Sequence, residues 1–500
     1  GEPLEGDSMA ARHIAAAFGL AGFSALACAT NGMNMEGYGP IALGMGGASM
    51  AHDVGNAAMI NNPATLGLIQ PGTNRLALFV GGLMPEVSSN GRDSSATSFV
   101  MPAAGYVRRG EKFTWGVGMM AQGGMGTEYS DGAFWGNLAP TGPGAVDMAG
   151  GIARRNLSEV GVGRVLLPLA YAVSDTFNLG GSIDFVWAGM DIQWLVDGAH
   201  FGDMMAGSRA FGSVSGDMVT RMQGMMGPAG IRAVGWGYFD FNEEGQFYQK
   251  ATGTGWAGNV GFTWKATPAL TFGGVYHAKT AISDLQTGSG GAKVSFNVDF
   301  AGTSQTIPVS GNVDIKNFQW PETYGIGLAW QADERWLLAA DYKRINWADV
   351  MREFRMVFRA SASQANPMAA AFAGTQLNMI YEQRWQDQNV IMLGAAYKMN
   401  DATTVRFGAN FADSPIPERY MSPLFPAIMK NHLTFGLDYA LDKSSVLHGA
   451  LSYAPKVSAT NDWGSICPAG ACSDQSVSPE QITRITETFV QLCSQPPTPR

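Results

Sequence analysis

HLTFGLDY, residues His432 to Tyr439, decides the fold: Leu433, Phe435, Leu437 and Tyr439 alternate with His432, Thr434, Gly436 and Asp438. Successive side chains of a β-strand point to opposite faces, so this stretch sends a large apolar row one way and a small or polar row the other. Two further stretches repeat the pattern. Val405, Phe407, Ala409 and Phe411 interleave with Thr404, Arg406, Gly408 and Asn410, and Tyr324, Ile326, Leu328 and Trp330 interleave with Gly325, Gly327 and Ala329. A soluble sandwich also alternates. What separates the two is the aromatic residues near strand ends, at Trp330, Trp336, Tyr342, Tyr397, Tyr439 and Tyr453, since amphipathic rings settle at bilayer interfaces. The reading is all-β: a transmembrane antiparallel β-barrel.

Composition agrees with a barrel and excludes other classes. With 15% charged residues and a mean hydropathy of -0.01, the chain is too polar for a helical membrane bundle and low in charge for a soluble enzyme. A net charge of -9 leaves no basic stripe to release counterions from phosphates, so nucleic acid is not an expected partner. Alternating segments number about fourteen, an even count as closure requires. They fall near 75–86, 97–108, 112–122, 157–172, 176–196, 250–266, 270–285, 311–330, 336–357, 378–398, 402–413, 429–441, 445–456 and 481–493. Short polar turns such as Arg109-Gly110-Glu111, Ser174-Asp175 and Asn400-Asp401 alternate with long connections, and the short ones mark the periplasmic end.

Ahead of the first strand, Gly32 to Gly72 is glycine-rich, with neither a period of two nor an amphipathic helix. It reads as a plug in the lumen. Met9 to Ala29 has a basic start at Arg12, an apolar run from Ile14 and small residues at a cleavage position, as a signal peptide does. Lipoprotein processing at Cys28 is a weaker reading, because Ala25 stands where leucine is usual. The organisation expected is an upstream extension and signal at 1–29, a hatch at 30–74, a barrel at 75–493 and a tail at 494–500. Gln481 to Leu492 still alternates, so it is expected to pair with Arg75 to Glu86 and close the barrel, while the three prolines beyond it cannot continue a ladder.

Asn62, Pro63 and Ala64, with the preceding GPIALGMGGASMAHDVGNAAM, resemble the N-terminal hatch of the FadL/TodX family of outer-membrane transporters for long-chain fatty acids and other hydrophobic compounds. The resemblance continues in family order through GMGTEY (Gly124 to Tyr129), WPETYGIGLAWQ (Trp320 to Gln331), LLAADYKRINW (Leu337 to Trp347) and FADSPIP (Phe411 to Pro417). It implies passive uptake in the bacterial outer membrane: long loops form a hydrophobic landing groove, a lumen pocket takes the ligand, and the hatch rearranges. It also implies a sideways exit where the third strand kinks, at Gln122, Gly123, Gly124, Met125 and Gly126. Glycines suit that place because they allow a bulge and leave no side chain to block an opening. A strand that ends in a flexible loop is the plainer reading of the same residues.

Within the long connection 197–250, Met218, Met222, Met225 and Met226 recur at helical spacing after a cap at Ser215 or Asp217. Such a face either packs on a neighbouring loop or offers thioethers to greasy ligands of variable shape. No catalytic residue is assigned. His432 and His448 alternate inward with Asp438 and Ser452, but no serine-centred elbow singles them out. A lipid-acting enzyme and a structural or adhesive surface barrel are the alternatives. Cys467 and Cys472 form either a local disulfide or two free loop thiols, and no histidine stands by to complete a metal site. No cofactor is expected. The partners expected are a hydrophobic small molecule, a fatty acid or hydrocarbon, and outer-membrane lipid around a monomer. A carboxylate ligand would need a cation, for which Arg164, Lys343, Arg344 and Arg406 are the nearest candidates; since Phe177 to Val196 has none, neutral hydrocarbons are favoured.

Overall fold

Fourteen strands close on themselves in the computed structural model, which describes residues 31–89, 92–129, 155–207, 212–241, 251–459 and 484–494. In chain order they are β1 (Asn74–Glu86), β2 (Phe99–Arg109), β3 (Phe113–Tyr129), β4 (Asn156–Ala172), β5 (Phe177–Asp197), β6 (Ala251–Lys265) and β7 (Leu270–His277). The second half comprises β8 (Thr323–Gln331), β9 (Trp336–Ile345), β10 (Gln388–Lys398), β11 (Thr403–Ala412), β12 (Asn431–Ala440), β13 (Ser445–Ala454) and β14 (Arg484–Ser494). Each pairs antiparallel with its sequence neighbour, and β14 pairs with both β13 and β1, Leu76 opposite Ser494 and Glu86 opposite Arg484. Closure gives every wall strand a partner on both sides, the condition for crossing hydrocarbon with strands. Among the described residues no helix is long and apolar enough to cross a membrane. The signal expected at 1–29 and the pair Cys467 and Cys472 lie outside the described residues.

The alternation has the orientation that lipid demands. Leu433, Phe435, Leu437 and Tyr439 are exposed on the outside of β12, whereas His432 and Thr434 are buried inside. At the periplasmic end rings gather on the outer surface, with Phe113 against Tyr171 at 4.8 Å and Trp336 against Tyr397 at 4.7 Å. They form the aromatic girdle of a membrane barrel.

Four wall strands are shorter than their alternation implies. The segments expected at 270–285, 311–330, 336–357 and 378–398 each join a wall strand to strands that extend the same sheet over the extracellular mouth. Residues 303–316 pair with 292–300 and 353–360, and 353–360 pair with 376–382. This cap sheet joins the wall where 231–240 pair with the top of β5. The breaks have local causes. Pro321 cannot donate to a ladder between 316 and 323, Trp347–Asp349 turns in a 3-10 helix, and Arg384 takes φ 49°. Alternation carries across these breaks because a cap strand also buries one face, and a period of two does not report what covers it.

Residues 31–73 fill the lumen. Short helices occur there, α1 (Pro40–Gly44) and α2 (Ala58–Asn61), followed by a 3-10 turn at Pro63–Leu68. Both α1 and α2 are buried all round, so neither has the polar face that makes a helix visible as amphipathic.

Candidate functional site

The hatch meets the wall backbone to backbone, and glycines on the inner face make room for it. A Cβ at Gly408 in β11 would collide with the Gly46 nitrogen, one at Gly394 in β10 would stand 2.6 Å from the Met45 carbonyl oxygen, and one at Gly436 in β12 would stand 3.1 Å from Gly44. On the opposite wall, Gly180 in β5 receives Pro63 and Ala64, and Gly261 in β6 receives the Asn62 amide. Asn62 is extended at φ -146° and ψ 103°, as a residue before proline prefers, and its Oδ1 accepts from the Ala64 amide at 3.1 Å. Its Nδ2 donates to the Met50 carbonyl at 2.7 Å and to the Phe262 carbonyl of β6 at 3.2 Å. Asn62-Pro63-Ala64 thus caps a turn, ties two hatch segments and touches the wall.

Other buried polar side chains repeat this tie. Asn56 donates to the carbonyls of Arg75 in β1 and Gly105 in β2 at 3.1 and 2.7 Å. The Asp341 carboxylate of β9 accepts from the Ser49 and Met50 amides at 2.6 and 2.9 Å. Thr434 and Asn410 satisfy the amide and carbonyl of Gly46. Near the periplasmic end Arg75 grips Asp53 through two nitrogens, at 2.8 and 2.7 Å. Partial burial works against the ionised Asp53, but the guanidinium and the Gly55 amide outweigh it and hold the carboxyl below its usual range.

Residues Gln122 to Gly126 lie on β3 where its pairing is asymmetric. Toward β2 the ladder runs from Arg109–Thr114 to Ala104–Met119 and stops. Toward β4 it continues to Tyr129, with a register shift between Ala121 and Gly123. The extra residue of this bulge is Gln122. Its Nε2 donates to the Tyr38 hydroxyl at 2.8 Å and to Asn34 Oδ1 at 3.2 Å, and the Tyr38 hydroxyl donates to the Gln122 carbonyl at 2.7 Å. Burial pushes the Tyr38 phenol up, so it stays a neutral donor. Gly124 donates to the Met33 carbonyl at 3.2 Å, and any Cβ on Gly123 would collide with that same oxygen. Above the last β2–β3 pair, an apolar cavity opens at the seam between Phe79, Met101 and Ala103 on one side and Met120 and Ala121 on the other. Met35, Tyr38 and Gly39 of the hatch close it from within. The hatch's first residues also abut an edge-to-face run of Trp320, Trp347 and Trp385, with centroids 5.6 and 5.2 Å apart.

At the mouth, the methionine helix is α4 (Asp217–Gly224), after α3 (Gly198–Met205). Its N-cap is Gly216, without a side-chain cap, while Asp217 Oδ1 accepts from the Gln376 amide at 2.6 Å. Met218 and Met222 are buried in the cap core and Met225 is partly covered, whereas Met226 stands out, 43% exposed. Helix α4 turns Met218 and Met222 inward, where the cap strand 376–382 and the turn Ala369–Phe372 cover that face. No residue pattern announces the apolar cavity in the cap, lined by Ile192, Trp194, Phe354, Met356, Tyr381 and Phe425. The segment 413–430 folds into the upper lumen, where Thr127 and Tyr129 donate to the Pro423 carbonyl at 3.2 and 3.3 Å.

The inward histidines belong to separate arrangements. His448 Nδ1 lies 2.6 Å from Asp438 Oδ1, Arg406 pairs with the same carboxylate, and the Ser452 hydroxyl donates to Glu36 at 2.5 Å. His432 is buried with neither ring nitrogen bonded. The serine therefore faces a hatch carboxylate and no imidazole.

Comparison with known proteins follows the same lines. A 79-residue stretch is 46% identical to an uncharacterized protein of Chlorobium limicola, covering 15% of this chain and 39% of that one. Over 427 residues the chain is 22% identical to the long-chain fatty acid transport protein of Salmonella typhi, covering 82% of this chain and 83% of the other. It is similar in structure to the toluene transporter TodX of P. putida, with a TM-score of 0.72 and 26% identity over 93% of this chain and 99% of that one. Residues 16–464 match the model of the outer membrane protein transport protein family (OMPP1/FadL/TodX), and the chain belongs to that family of outer-membrane transport barrels.

Proposed function

We propose that this protein admits hydrophobic small molecules across the outer membrane by passive uptake, and releases them sideways into the bilayer through the seam between β2 and β3. Its relatives transport long-chain fatty acids and toluene, and the same broad class of ligand is assigned here. Capture falls to the apolar cavity of the cap, with the exposed Met226 at its approach. A ligand descends until it meets the hatch at Tyr38 and Gln122. Displacement of Asn31 to Gly39, which makes fewer bonds to wall backbone than the segment bearing Asn56, Asn62 and Gly46, then opens the seam. Asn62, Pro63 and Ala64 are assigned the fixed footing of the hatch, and Gln122 to Gly126 the rim of the exit. The barrel acts as a monomer in outer-membrane lipid.

The observation that carries this reading is the one-sided pairing of β3, bonded to β4 up to Tyr129 but to β2 only up to Met119. The freed length opens on an apolar cavity that Met35, Tyr38 and Gly39 of the hatch close from within, and above it Glu128 bonds to Ser94 and Ser95. Cysteines at Ala103 and Met120, joined as a disulfide across the seam, test it. Uptake is expected to fall when the bridge is formed and to return on reduction, while ligand still binds the bridged protein. Undiminished uptake with the bridge intact sinks the sideways route and leaves one straight through the lumen.

A further inference from the structure

We infer that Pro102 of β2 is the residue that holds the seam with β3 open, a positioning residue for sideways release. This rests on the uptake reading above and names the part of the wall that makes its exit.

Alternate residues of a strand in an antiparallel sheet turn their N–H and C=O groups to opposite neighbours. The lower end of β2 fixes which residues turn which way. Arg109 donates to the Thr73 carbonyl, just ahead of β1, at 2.8 Å, whereas Gly110 donates to the Phe113 carbonyl of β3 at 2.8 Å. The register with β1 runs without a shift from Asn74–Arg108 to Leu83–Phe99, so the even-numbered residues of β2 turn their backbone groups toward β3. Continued two steps beyond its last pair, Ala104–Met119, the β2–β3 ladder would set Pro102 opposite Ala121. That is a bonding position, and proline has no N–H to give. The ladder stops there.

A proline inside a closed wall is out of place unless its nitrogen faces a gap or a bulge. Here it faces both, because the extra residue of β3, Gln122, follows Ala121 directly. In hydrocarbon no water stands in for a missing partner, so an N–H aimed into an open seam carries a heavy desolvation cost. Pro102, exposed on the lipid side in line with Val100, removes the first such N–H above the last pair. It ends the ladder without leaving an orphan donor at the break. The window is bounded below by Ala104–Met119 and above by Glu128, which bonds to Ser94 and Ser95.

A second proline in the wall serves as a comparison. Ala172 of β4 donates to the Lys112 carbonyl at 2.8 Å, so the even-numbered residues of lower β4 face β3, Pro168 among them. There the β3–β4 pairing lapses between Trp115–Leu169 and Gly118–Leu166 and then resumes in the same register. One missing donor interrupts a ladder; a bulge directly beyond it keeps the ladder from resuming.

The test measures uptake of toluene and of oleate by cells that lack other transporters of this family and express the full chain, beside amide exchange of the purified barrel. Pro102→Ala is expected to slow uptake about three- to tenfold, the scale of one added backbone hydrogen bond. The amide introduced at position 102 should be protected from exchange, and binding of the same probes to purified protein should be unchanged. Pro168→Ala also adds a donor toward β3, and it is expected to leave uptake as it was because pairing continues on both sides of that lapse. Equal loss in the two variants overturns the proposal, as does full uptake by folded Pro102→Ala protein or an unprotected amide at position 102. Pro102→Val repeats the measurement with a stronger strand former; if neither variant at 102 keeps the heat-modifiable gel mobility of a folded barrel, the proline serves assembly and the proposal falls. The disulfide between cysteines placed at Ala103 and Met120 separates this inference from the reading beneath it. Undiminished uptake with that bridge formed removes the sideways route itself, whereas a bridge that blocks uptake beside a Pro102→Ala variant that does not slow it removes only the role of Pro102. Uptake of neither probe by the unaltered protein overturns the uptake reading, and this inference with it.

Discussion

Gly408 sits where β11 passes behind the hatch, and the Gly46 nitrogen occupies the space its side chain would take. Replacing it by valine is expected to cost about 1–3 kcal/mol in overpacking, relieved by moving the hatch rather than by breaking a ladder that continues on both sides. The variant should fold as a barrel yet show faster proteolysis within residues 31–73; unchanged protection would refute tight seating. Asp53 gives a pH dependence. Its folded pKa lies below its free value, so the contribution of the Arg75 pair is complete above about pH 4 and is lost as pH falls through the depressed value. Hatch protection is therefore expected to be flat from pH 7 to 5 and to fall below about pH 4, and Asp53→Asn should abolish that acid step. At this scale the sequence disclosed Asn62, whose proline restricts it locally. It concealed Asn56 and Asp341, because their partners are backbone groups on distant segments and leave no mark on side-chain pattern.

Strand β3 shows what a single element determines. Seventeen residues long, it is a wall strand on its β4 side throughout and on its β2 side only in its lower part. Gly123→Leu is expected to push the Met33 carbonyl and Trp320 away, since its Cβ would meet both. Uptake should change while cap binding holds, and unchanged uptake in a folded variant would detach the bulge from transport. Sequence located this strand, because Phe113 to Met119 alternates cleanly, but not its one-sided pairing, which depends on where the partner strand stops. The overrun of four strands into the cap has a related cause: alternation reports a covered face and is silent on whether lipid, lumen or another sheet covers it. Helix α4 was legible as a helix by spacing, and the burial of Met218 and Met222 was open from the start because helical spacing does not say who the neighbour is.

For the molecule as a whole, closure was legible and filling was inferred from default. The pairing of β14 with β1 follows from an even strand count and a final alternating segment. The plug followed from a long stretch with no pattern of its own ahead of the first strand. Deleting residues 31–72 removes nearly everything described inside the lower lumen. The shortened protein is expected to conduct ions in planar bilayers at a level far above the full chain, and a barrel that stays electrically silent would show that the cap alone seals it.

The glycine notches also bear on the order of assembly. They are spread over β5, β6, β10, β11 and β12, strands far apart in the chain, yet they mould one continuous surface to the backbone relief of a segment that is made first. A wall closed around nothing would offer hollows to water, and a hatch arriving later would have to thread a shut cylinder. Wrapping the strands around the hatch before β14 meets β1 avoids both. The inner surface is then a cast of this particular insert, and a hatch borrowed from a relative would find its bumps facing the wrong hollows.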